Sequence, residues 1–169
     1  MHDSTESRAA LAVPASASGA DDRAHARQMA ELIQAAMRSL PAEAREVLVL
    51  RDVEGLSAEE AAAVLAVSVP ALKSRLHRAR MALSAQLAAV LDAPESAGCP
   101  ELSAELAAYA ADEVDQAMCA RIEAHLSRCP RCSAACEQLK RTVSLCRALP
   151  GGDVPAPVKA AVRAALNAG

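Results

Sequence analysis

Apolar residues recur three and four positions apart along most of the chain, which predicts helices and no strands. Met29, Leu32, Ile33, Ala36 and Met37 mark one face of a helix over 26–39. Pro41 opens a second helix through 53, with Val47, Leu48 and Leu50 apolar, and Gly55 stands where a terminating glycine belongs. Ser57 followed by Glu60 is a capping box that starts a third helix through 65. After a short break, Ser68 takes an N-cap position and Pro70 the first turn of a fourth helix running to 91. Val64, Leu65, Val67, Leu72, Leu76 and Ala79 are apolar on both sides of that break. They predict the turn and second helix of a helix-turn-helix.

Residues 92–98, DAPESAG, read as a linker, and all six cysteines lie beyond it. The expected division is a tail over 1–26, a first domain over 27–91 and a second over 99–149. The second domain carries helices over about 100–111, 114–128 and 131–148. The tail over 150–169 opens on Pro150-Gly151-Gly152, with a short alanine- and valine-rich helix at 157–167. Residues 1–26 mix Ser, Ala, Asp and Gly without a period and are expected to be disordered.

Composition changes this picture in two ways. Apolar residues make up 53% of the 169, but many are alanine, Phe and Trp are absent, and Tyr109 is the one aromatic residue. Any core therefore leans on Leu, Val and Ile. The net charge of −3 argues against a generally basic nucleic-acid coat, so binding to nucleic acid needs a local patch. No secretory signal or membrane-length apolar run is apparent, so the cytoplasm is the expected compartment. Thiols stay reduced there, and six cysteines then suggest a metal site more than disulfides.

The local patch is present. Lys73, Arg75, Arg78 and Arg80 crowd the fourth helix with His77 among them, and no acid occurs between Glu60 and Asp92. An apolar rear with an acid-free cationic front suits the phosphates lining a DNA groove. The plain alternative is a solvated cationic face of a helical bundle.

Residues 40–83 resemble the fourth region of bacterial sigma factors of the extracytoplasmic-function class. The resemblance rests on Leu40-Pro41, Arg45-Glu46, Leu50-Arg51, Glu54-Gly55-Leu56-Ser57, Glu60 and the run from Lys73 to Arg80, KSRLHRAR. It implies recognition of a promoter −35 element, with the helix from Ser68 in the major groove. Pro70, Ala71, Lys73, Ser74 and Arg75 then lie in the turns that reach base edges. Lys73, Arg78 and Arg80 are assigned to phosphates, Arg75 to either role, His77 to the outward face and Arg51 to a backbone contact. Ala66 stands where that family has Gly or Asn, and alanine tolerates a positive φ poorly. Such sigma factors melt DNA with an upstream region rich in aromatic residues. With only a polar tail before the first helix, that function is expected from a second polypeptide or not at all.

In the second domain, His125, Cys129 and Cys132 form H-x3-C-x2-C, three ligands that need a fourth to close a tetrahedral site. Cys99 is the natural candidate, and Cys136, one helical turn past Cys132, can compete for the place. The segment from Cys99 to Cys132 resembles the zinc-binding anti-sigma domain through Cys99, Leu106, Tyr109, His125-Leu126, Cys129 and Cys132. Where that family has Asp-Gly after the tyrosine, this chain has Ala110-Ala111-Asp112-Glu113. Cys119 and Cys146 are expected to pack as small apolar residues.

The expected fold class is all-α: a four-helix helix-turn-helix domain followed by a small three-helix zinc-binding domain. The expected function is a bacterial transcription regulator of sigma type. It binds promoter DNA and RNA polymerase and is controlled by its own zinc domain. The alternative is an anti-sigma-like protein that binds a sigma factor or polymerase without reading DNA. No catalytic constellation, small-molecule substrate or membrane partner is indicated.

Overall fold

The computed structural model describes residues 18–91 and 98–151. The linker up to 97 and the helix expected at 157–167 lie outside the described residues. Helix α1 spans Ser18–Ser39, α2 Ala42–Leu48, α3 Ala58–Val64 and α4 Val69–Val90. A single 3-10 turn, Pro100–Leu102, leads into α5, Ser103–Ala110, then α6, Gln116–Leu126, and α7, Pro130–Arg147. The described residues contain no strand, and the all-α class holds.

The helix starts follow local chemistry. Ser57 caps α3 by accepting from the Glu60 N–H at 3.1 Å, while the Glu60 carboxylate accepts from the Ser57 N–H at 2.7 Å. Ser68 caps α4 by accepting from the Ala71 N–H, with Pro70 in the first turn. Gly55 takes a positive φ of 68° after the second helix. Between α3 and α4, Ala66 takes φ 52°, so the turn does place an alanine in the left-handed region.

Three features depart from expectation. First, α1 begins at Ser18, so part of the expected tail is helical. Residues 21–28 are exposed, so no apolar stripe marks them; good helix formers and Asp21 in the first turn support the helix instead. Second, the regular helix of α2 stops at Leu48 and widens into a π-helical turn, Val49–Val53. There the Glu54 N–H reaches Val49 O at 2.8 Å, and both Leu50 and Asp52 are buried.

Third, α7 serves two hydrophobic clusters. The first is built from Ile33, Val47, Leu48, Leu56, Leu72, Leu76 and Leu83, with Cys146 and Leu149 added from the end of the second unit. The second contains Leu106, Ala107, Ile122, Cys132, Cys136 and Leu139, with Met81 of α4 packed against it. At roughly 1.5 Å per residue, a helix of this length spans about 27 Å, so it starts in one cluster and ends in the other.

Candidate functional site

Cys99, His125, Cys129 and Cys132 come together with one potential ligand atom each, all within 4.8 Å of one another. His125 sits in the last turn of α6, Cys129 is the N-cap of α7 and Cys132 lies in its first turn. The Cys129 N–H donates to His125 O at 3.0 Å, which closes the turn joining them. Cys99 arrives from the other side of the unit, and its N–H donates to the Cys132 Sγ at 3.2 Å. Gly98 permits that approach, because a Cβ there would stand 3.4 Å from Cys132 Sγ and 3.0 Å from Leu106.

The donor set fits a tetrahedral ion. With zinc–sulfur bonds of about 2.3 Å, ligand atoms stand roughly 3.8 Å apart. The Cys99 and Cys129 sulfurs are 4.0 Å apart, and His125 Nε2 is 3.2 Å from Cys132 Sγ. The Cys132 N–H, followed by its thiol and His125, pulls the Cys129 thiol down to about 7. The Cys132 thiol, burial and Cys129 push Cys99 up to about 11. Cys136 is not in the cluster; it is buried in the apolar core beside it. Cys146 is buried in the first cluster, and Cys119 is half-buried on α6.

The predicted DNA-facing residues divide into two groups. Ser68, Pro70, Lys73, Ser74 and Arg78 are exposed, while Ala71 and Arg75 are half-buried, with Arg75 3.9 Å from the Glu43 carboxylate. Behind them Leu72, Leu76 and Ala79 are buried. His77 is half-buried, and its Nδ1 is buried without a hydrogen-bond partner among the described residues. Burial, then the charges of Arg78 and Arg80, hold its imidazole below the ordinary value.

Arg80 and Arg51 depart from the phosphate roles assigned to them. Arg80 falls four residues after Leu76 and eight after Leu72, so the spacing that buries those leucines buries it too. It is 2% exposed, with Nε and Nη2 donating to the two Asp52 oxygens at 2.9 and 2.6 Å. Its Nη1 and Nη2 also donate to Glu113 at 2.8 and 3.0 Å. Arg51 donates through Nη1 to Leu56 O and through Nη2 to Glu113 at 2.5 Å. Burial alone would raise the Glu113 carboxyl, but Arg80 and then Arg51 hold it below the ordinary range.

Asp52 and Glu113 were not singled out from the sequence. A readable signal existed for Asp52, an acid inside the apolar run from Val47 to Val53. Another was Arg80 itself, in phase with two core leucines. The local sign at Glu113 is the replacement over 110–113, which says nothing of its partners, 62 and 33 residues away.

Comparison with known families agrees with both halves of this geometry. Residues 30–83 match the family described as "Sigma-70, region 4", and residues 99–133 match the one described as "Putative zinc-finger". The ECF RNA polymerase sigma factor SigE of Mycolicibacterium smegmatis is 42% identical over 76 residues, covering 45% of this chain and 30% of that protein. The ECF RNA polymerase sigma factor EcfG of Rhodopseudomonas palustris is 46% identical over 57 residues, covering 34% and 32%. The chain thus spans about a third of the length of these curated relatives. No solved structure matches it significantly.

Proposed function

Starting from a chain that joins a sigma-70 region 4 domain to a zinc-finger domain, we propose a bacterial transcription regulator. In this reading α3 and α4 recognise −35-like promoter DNA and contact RNA polymerase, and the finger packed beside them regulates access. The observation that carries it is the front of α4. Lys73, Ser74 and Arg78 stand exposed there, while the rear of the helix is locked into the core through Leu72, Leu76 and Leu83. Lys73 and Arg78 grip phosphates, and Pro70, Ala71, Ser74 and Arg75 face base edges.

Zinc is the metal that three thiols and one imidazole at this spacing select. Cys99, His125, Cys129 and Cys132 would hold it. Four protein ligands leave no open position for catalysis, which makes the role structural and the protein a regulator, not an enzyme. The cytoplasm, where promoter DNA and reduced thiols coexist, is the matching compartment; no described helix is long and apolar enough to cross a membrane.

The test is duplex binding by the full chain over a range of salt. Replacing both Lys73 and Arg78 with Ala should weaken binding to all sequences and reduce the salt slope by about 2. A slope unchanged by the double substitution refutes this reading. The second reading is a protein that grips a sigma factor or polymerase without touching DNA. It is favoured by the inward turn of Arg51 and Arg80, which removes two cations from the set expected to face the groove. Weak, salt-insensitive duplex binding beside firm binding to an isolated sigma factor would select it.

A further inference from the structure

The loop between α5 and α6 enters the seam between the two units. Its backbone is set by Asp112 at φ 61°, with the Asp112 N–H donating to Tyr109 O and the Glu113 N–H to Ala108 O. The end of α7 braces it from behind, since Arg147 Nη2 donates to Ala111 O at 2.7 Å. This shape delivers one carboxylate, Glu113, onto the two guanidiniums of Arg51 and Arg80.

The two arginines stand differently. Arg80 is anchored within its own domain by Asp52, so it stays in place whether or not Glu113 is present. Among the described residues Arg51 pairs with one carboxylate: beyond Glu113 its head group is held by Leu56 O, and its buried Nε has no hydrogen-bond partner there. A carboxylate accepting from a guanidinium fork occupies the same donors that a phosphate would use. At Arg51, Glu113 therefore occupies one donor, Nη2, that a phosphate oxygen could otherwise take.

We propose that Glu113 is an autoinhibitory latch: through this one carboxylate the finger clamps the arginine pair of the region 4 domain and withholds Arg51 from nucleic-acid phosphate. The effect on DNA rests on the DNA-reading proposal above; the clamp itself does not. Releasing the latch loosens the α5–α6 loop from the π-helical turn and adds one phosphate contact. The finger's core and its four ligands are untouched, because Glu113 belongs to neither.

The test compares zinc-loaded full-length protein with its Glu113→Gln variant, and with Glu137→Gln as a control of equal charge change on the exposed face of α7. Glu113→Gln should speed amide exchange at 49–56 and 111–115 and raise duplex affinity about fivefold or more. The control should do neither. Unchanged exchange in the variant overturns the latch. Faster exchange with measurable but unaltered duplex affinity overturns the competition with phosphate. Faster exchange while neither protein binds duplex at low salt upholds the clamp and refutes DNA reading, so the two failures are distinguishable.

Discussion

The first cluster closes on branched side chains: Leu48, Leu56, Leu72 and Leu83 are each 1% exposed or less. The second has Leu106, Ile122 and Leu139 but fills much of its interior with Ala107, Ala110, Cys132 and Cys136. A buried leucine contributes about 1.5–3 kcal/mol, and alanine offers far less area to bury. The helix-turn-helix unit is therefore expected to stand mainly on packing, and the finger to depend more on a metal tying its candidate ligands together. Cys132 makes this dependence concrete, being a core residue and a member of the candidate metal cluster at once.

The largest expected effect follows directly. Structural zinc sites contribute roughly 10–16 kcal/mol of apparent binding free energy, which in a small unit is folding free energy. Chelation, or Cys132→Ser, should abolish stoichiometric zinc and strip amide protection from α5 and α6. Protection of α4 around Leu72 and Leu76 should survive. Equal loss of protection in both units would break the comparison. So would stoichiometric zinc retained by the variant.

A smaller effect separates the clusters by their conditions. Leu83→Ala and Ile122→Ala each empty a buried site and should lower stability by about 2–5 kcal/mol. Leu83→Ala should do so with or without chelator. Ile122→Ala should matter only while metal is bound, because without it the second cluster is already open. Denaturant midpoints with and without chelator read the difference, and a chelator-independent loss from Ile122→Ala would contradict it.

The same contrast explains what the sequence made legible. Ser57, Glu60, Gly55 and Ser68 act within four residues of their partners, so their caps and turns were readable. The finger's candidate ligands stand out because three of them lie within eight residues, and the fold brings Cys99 beside them. The burial of Arg80 is legible from phase and not from charge: it shares the stripe of Leu72 and Leu76. The junction was not readable. Nothing local joins Glu113 to Arg51, or sends Cys146 and Leu149 into the core of the other unit. Nor does any apolar period mark the exposed early turns of α1.

The smallest effect concerns two left-handed residues, one in each unit. Ala66 at φ 52° closes the end of α3, with the Val67 N–H donating to Ala62 O, but its side chain is exposed in the turn before α4 and adds nothing that glycine would lack. For an ordinary residue that conformation costs about 1–2 kcal/mol, while glycine adds roughly 0.5–1 kcal/mol of chain entropy to be lost on folding. Ala66→Gly should thus stabilise the first unit by about 0.5–1 kcal/mol. Asp112 at φ 61° is a different case. Aspartate tolerates the left-handed region better, and its carboxylate lies 3.5 Å from Arg147 on the loop that carries Glu113. Asp112→Gly should therefore give no gain, and it should loosen the loop. Thermal midpoints of the two variants, both zinc-loaded, decide the matter. A larger gain from Asp112→Gly would mean that the finger, not the helix-turn-helix, carries the unrelieved strain.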